Sequence, residues 1–221
     1  MAMKKSDKIT RDKIISLYMD YVLIHNTNPS SVYHFASKNG FEEATFYAYF
    51  ASFEALEQDL FKNFFDHTYT VLQKSDEYQE FDSRNKLLSF YFTFFEILTA
   101  NRSYVVYALK SDKHRLKSLK KLSQLKIAFL EFIEHLDLEV KPMKQKAIND
   151  FQKKTLKETA WIQLLLTLEF WLKDTSVSFE KTDVFIEKSV NTSMNLLDAQ
   201  TLNSLMDLGQ FLFKERTTIF S

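Results

Sequence analysis

Two glycines and two prolines are all that interrupt the backbone of this 221-residue chain. These are the residues that most often end a helix, and soluble proteins carry several per cent of each. So few breakers favour long helices. No stretch alternates apolar and polar residues in the way a half-buried strand requires. The expected class is all-α. The 22 Phe, 10 Tyr and 45% apolar content supply enough side chain to bury a core, which argues against disorder.

Helix-spaced apolar residues run over 9–25, and "NTNPSS" (26–31) is a turn offering Ser30 and Ser31 as caps. "VYHFASKN" (32–39) reads as a short helix closed by Gly40, with another short helix over about 42–48. A long helix follows from 51 to 73, with Ser52 as its N-cap. Residues 74–85 read as a polar link, 86–109 as helix with a break near Asn101, and 112–136 as a periodic helix basic on one side. Pro142 marks the start of a helix reaching Lys173, 174–183 is a second link, and two last helices fit 184–198 and 201–214.

The segment "NGFEEATFYAYF" (39–50) has the spacing of a helix–turn–helix corner. Ala36 is small enough for two helices to cross closely. Gly40 adopts a left-handed turn without steric cost, and Phe46 covers the core from the second helix. Around it, residues 11–61 present Ser30, Ser31 and Val32, then Phe35 and Ala36, Gly40, Thr45-Phe46-Tyr47, Tyr49-Phe50, and Ser52 with Glu54-Ala55-Leu56. That tract resembles the N-terminal region of the TetR family of transcriptional regulators. The tail "LEFWLKDTSVSFEKTDVFIEKSVNTSMNLLD" (168–198) is similar to the late part of the family's ligand domains. The resemblance implies a three-helix DNA-binding module over 1–60, followed by a larger helical ligand-binding and dimerisation domain over 61–221. It also implies that Ser30 or Ser31, Thr45, Tyr47 and Tyr49 face the DNA backbone. The sequence departs from the family pattern at Glu42 and Glu43, at Ala48, and at Phe53, where the family usually has a phosphate-contacting lysine.

Charge bears on the DNA expectation. Residues 1–62 hold seven Lys or Arg and eight Asp or Glu, a net of −1, whereas phosphate attraction normally supplies much of DNA affinity. Glu42 and Glu43 open the second corner helix, where acidic groups suit the helix dipole and a carboxylate can also accept from cytosine N4. The basic feature is the arm over 4–13, which supplies Lys4, Lys5, Lys8 and Arg11. Two readings follow. In one, the arm gives affinity, Thr45 and Tyr47 touch phosphate, and Glu42 or Glu43 lies near bases. In the other, the chain keeps the fold as a lipid- or small-molecule-binding protein in which DNA binding has weakened or been lost.

The body is aromatic on several faces, as a central helix is. Phe90, Phe94 and Phe129 can line an apolar cavity between helices, with Thr93, Tyr104, Tyr107, Gln163 and Thr167 as its polar groups, and an ordinary core explains the same residues. The family implies an inducer pocket here, and the aromatic lining suggests a small hydrophobic or aromatic ligand. "WIQLLLTLEFWL" (161–172) is more apolar than one buried stripe needs. Leu164, Leu168 and Trp171, together with Phe185, Val190, Met194, Leu197, Leu205, Leu208 and Leu212, form the expected homodimer surface. Two lysine-rich stretches, 110–126 and 141–157, read as solvated faces.

Chemistry is not expected. There is no cysteine, so thiol nucleophiles, disulfides and Cys-ligated metals are excluded. None of His25, His34, His67, His114 and His135 has a zinc-site spacing, and glycines at 40 and 209 cannot form a phosphate loop. No cofactor is expected. The start lacks an apolar signal core, and the stretch 87–100 is too short to span a bilayer. A cytoplasmic location without stable membrane insertion is the expectation.

Overall fold

A computed structural model describes residues 9–110, 119–136, 138 and 146–197. The fold is all-α, and no strand occurs among the described residues. In order the helices are α1 (Arg11–His25), α2 (Val32–Lys38), α3 (Glu43–Tyr47), α4 (Phe53–Gln73), α5 (Asp76–Glu80), α6 (Ser83–Ala100), α7 (Arg102–Lys110), α8 (Ser123–His135), α9 (Lys146–Lys173) and α10 (Glu180–Leu197). A 3-10 turn, Val177–Phe179, precedes α10. The expected start at Pro142 and the expected helix over 201–214 lie outside the described residues. The chain divides into two compact units, one drawn from Met1–Tyr69 and Phe94–Ala128, the other from Thr70–Thr93 and Phe129–Ser221.

In the first unit α1, α2 and α4 each begin on a hydroxyl cap. The Thr10 side chain accepts from the Lys13 backbone N–H, Ser31 from that of His34, and Ser52 from that of Ala55. α2 ends in a Schellman motif. The Phe41 N–H reaches the Ala36 carbonyl at 3.1 Å, the Gly40 N–H reaches Ser37 at 3.3 Å, and Gly40 is left-handed at φ +72°. The hydrophobic contact that accompanies such a motif is present, with the Phe41 ring edge-on to Phe35 at 5.7 Å.

Phe35 is fully buried and also meets Tyr18, Tyr21, Phe46 and Phe53 edge-to-face. Phe53, where the family places a lysine, stacks on Tyr18 at 5.4 Å and meets Phe46 at 5.2 Å. α1 also packs on α7, and the Tyr107 hydroxyl donates to the Asn28 side chain at 2.9 Å.

The second unit corrects two sequence boundaries. The polar link 74–85 contains α5, which starts because Ser75 caps it through the Tyr78 N–H and persists because Tyr78 is buried. α6 begins at Ser83 because Asp82 accepts from the Asn85 N–H at 2.7 Å. Phe90 packs on Phe129 at 5.5 Å and on Phe132 at 4.7 Å, and Phe129 reaches Trp161. The break near Asn101, in the first unit, is present: α6 ends at Ala100 and the Asn101 amide donates to the Ile97 carbonyl.

The link after α9 is held by one carboxylate. Asp174 is buried and accepts from the backbone N–H and the hydroxyl of both Ser176 and Thr182 at 2.7–2.9 Å. Ser178 and Phe179 adopt left-handed conformations, φ 52° and 61°, which non-glycine residues rarely do. The four hydrogen bonds and the Phe179 ring against Trp171 compensate for that strain.

Two outcomes follow. A Cβ at residue 40 would meet nothing within 4 Å, so Gly40→Ala costs only the left-handed strain, about 1–2 kcal/mol in denaturant unfolding, and Gly40→Asn costs less. Burial alone would raise the Asp174 pKa, but its hydrogen bonds outweigh that and lower it from 3.8 to about 2. The unfolded chain therefore binds the proton first, and this contribution is complete above pH 4 and lost as pH falls from about 4 towards 2. Asp174→Ala should cost about 1–2 kcal/mol at neutral pH and flatten the acid limb of a stability–pH curve.

Candidate functional site

The corner presents α3 to solvent by one edge. Phe46 is fully buried, while Tyr47 and Tyr49 are exposed and Thr45 is half-buried. Glu42 occupies the N-cap position of α3 without a side-chain capping bond and is exposed, and Glu43 is half-buried in the first turn. The Tyr49 hydroxyl donates to the Ile9 carbonyl at 3.5 Å. Of the paired hydroxyls, Ser31 is engaged as the α2 cap, and Ser30 is exposed without a described bond. α2 adds two exposed side chains that sequence reasoning did not place at the face, Tyr33 and Ser37. Their position on the outer side of α2 shows only once Phe35 and Ala36 are seen to point inward.

The electrostatics of this face are weak. Arg11 pairs with Asp59 at 2.5 Å and with Asp12 at 3.2 Å. Burial opposes its charge, but the pairing with Asp59 outweighs this and raises its pKa. Lys38, at the end of α2, stands over the Tyr21 ring at 5.0 Å with its ammonium 2.6 Å from His25 Nε2. No basic residue lies on α3. Lys4, Lys5 and Lys8 lie outside the described residues.

The residues expected at a ligand cavity divide between the two units. Phe94, Tyr104 and Tyr107 belong to the first; Phe90, Thr93, Phe129, Gln163 and Thr167 belong to the second. Several are already engaged. Tyr107 donates to Asn28, and the Thr167 hydroxyl donates to the Gln163 backbone carbonyl at 2.9 Å. The Gln163 side chain accepts from Ser193 and donates to Ser189, joining α9 to α10. Phe90 and Phe129 pack together in the core.

The expected dimer residues face mostly inward. Leu164, Leu168, Trp171 and Val190 are buried within the single chain, and Phe185 and Met194 are half-buried. Leu197 ends α10, and Leu205, Leu208 and Leu212 lie outside the described residues. Among the described residues, the large apolar side chains that α9 exposes are instead Ile162, Leu166 and Phe170, spaced four apart on one face, and α10 exposes Val184. The Phe170 ring stacks on Phe185 at 4.6 Å. Because α9 is apolar all round between 161 and 172, periodicity could not say which stripe the core takes.

No group of three or more His, Asp or Glu side chains able to hold a metal occurs among the described residues. No described helix is long and apolar enough to cross a membrane. The comparison with curated proteins finds no match. The family described as tetracyclin repressor-like, C-terminal domain, matches residues 86–212, a stretch that runs from the first turn of α6 past the end of α10. With more than half of its length carrying that domain behind the helices α1 to α3, the chain belongs to the tetracyclin repressor-like (TetR) family.

Proposed function

We propose that this protein is a dimeric, non-enzymatic transcriptional regulator of the TetR type, with a DNA-reading module over 1–60 and a ligand-binding and dimerising body over 61–221. The observation that carries the reading is the α2–Gly40–α3 corner, whose buried Phe46 leaves Tyr47 and Tyr49 outward in a chain of this family. Tyr47, Tyr49, Thr45 and Ser30 would offer hydroxyl donors to phosphates, with Glu42 and Glu43 near base edges. The arm residues Lys4, Lys5 and Lys8 would add charge. A small hydrophobic ligand in the body would favour one arrangement of its helices and so alter DNA affinity.

One observation favours a second reading, a small-molecule-binding protein of this fold that does not bind DNA. Arg11 at the start of α1 is already held by Asp59, and the one charged residue of α3 is Glu43.

Selection of bound fragments from a random DNA library at low salt separates the two. Enrichment of a motif with two half-sites about one helical turn apart supports the regulator, and recovery of unenriched DNA supports the second reading. In the regulator, Glu42→Lys should raise affinity roughly five-fold at low salt and steepen its salt dependence. Dimerisation is assigned to the exposed stripe of α9. Light scattering should find a dimer, Ile162→Glu with Phe170→Glu should yield a folded monomer, and an unchanged dimer would exclude that face.

A further inference from the structure

The first unit buries a charged pair. Glu57 on α4 is 4% exposed. One oxygen, Oε1, accepts from the Tyr18 hydroxyl of α1 at 2.8 Å; the other, Oε2, lies 3.4 Å from the Lys121 ammonium. Lys121 stands just before α8 with a side chain only 15% exposed, and its ammonium also donates to the Ala108 carbonyl of α7 at 3.1 Å. Taking a carboxylate and an ammonium out of water is costly, and a 3.4 Å separation recovers less of that cost than a close hydrogen-bonded pair would.

A second donor lies on α7, the helix whose Ala108 carbonyl accepts from Lys121. Tyr104 is one helical turn before Ala108, on the same face of α7, and is 1% exposed. Its hydroxyl is buried without a hydrogen-bond partner among the described residues, an arrangement proteins seldom keep. Burial and then the Glu57 charge hold the Tyr104 pKa well above its ordinary value, so the group remains a neutral O–H able to donate. Tyr18 is likewise held protonated, first by burial and then by Glu57, and keeps its bond to Oε1.

We propose that Glu57, Lys121 and Tyr104 form a two-position latch. The outer oxygen of Glu57 takes the Lys121 ammonium in the arrangement seen here, and takes the Tyr104 hydroxyl when Lys121 withdraws. α1 and α4 stay joined through Tyr18–Glu57 in both positions. What changes is which group completes the Glu57 carboxylate, the ammonium before α8 or the Tyr104 hydroxyl of α7, while α7 stays packed on α1. The inference does not depend on DNA binding, and its test needs no DNA.

A double-mutant cycle read by denaturant midpoint tests it. With Lys121 present, Tyr104→Phe removes an unused hydroxyl and should leave the midpoint unchanged or raise it. In a Lys121→Gln background the hydroxyl serves Glu57, and the same Tyr104→Phe change should lower the midpoint. That reversal of sign supports the latch; the same effect in both backgrounds overturns it. If Lys121→Gln does not fold, the unmodified protein decides the matter. NMR of tyrosine labelled at Cζ should show the Tyr104 signal exchanging between hydrogen-bonded and unbonded shifts. A single unbonded signal without exchange overturns the proposal. Lys121→Arg, which keeps the cation, should behave as the parent does.

Discussion

A five-residue helix has almost no stability of its own, because too few backbone bonds form to offset the ordering of the first turn. α3 (Glu43–Tyr47) exists because Phe46 is wholly buried against Phe35, Phe50 and Phe53. Burying such a ring contributes about 2–3 kcal/mol, comparable with the whole deficit of a helix this short. The same cluster orients α2, whose inner face is Phe35 and Ala36, and the N-terminal end of α4 through Phe53. The corner geometry, the outward pose of Tyr47 and the direction of α4 all follow from where these rings meet. Few alternatives fit, since edge-to-face contacts are directional and Phe35 makes five of them.

This packing has displaced electrostatics. Phe53 serves an aromatic contact, and the arginine heading α1 is held by an aspartate on α4. The exposed groups left on the corner are mainly hydroxyls, tyrosine rings and carboxylates, with Lys38 at the end of α2 the exposed cation there. If such a surface reads DNA, it does so with directional donors and acceptors, whose contribution changes little with salt.

Much of this was legible in the sequence. Gly40, the caps Ser31 and Ser52, the break at Asn101 and the all-α class are local properties, written in residues within a few positions of the feature they produce. α5 was missed because its cap, Ser75, and its one buried side chain, Tyr78, sit in an otherwise polar run. The inward faces of α9 were not legible because a helix apolar on every side carries no phase. Leu164 and Ile162 look alike until the core selects one. Lys121 was read as one lysine in a solvated run because its partner, Glu57, is far away in the chain.

That pairing redraws what counts as a separable piece. The natural cut from sequence falls near residue 60, after the corner and the first turns of α4. Yet the compact unit holding the corner also takes in 94–128. An excised 1–60 fragment would keep Glu57 and lose Lys121, and it would keep Asn28 and lose the Tyr107 hydroxyl that fixes the loop behind α1. It would also expose the face of α1 that α7 covers. The corner is thus not a unit of folding by itself, and a fusion that borrows it would need to borrow α7 and the start of α8 as well.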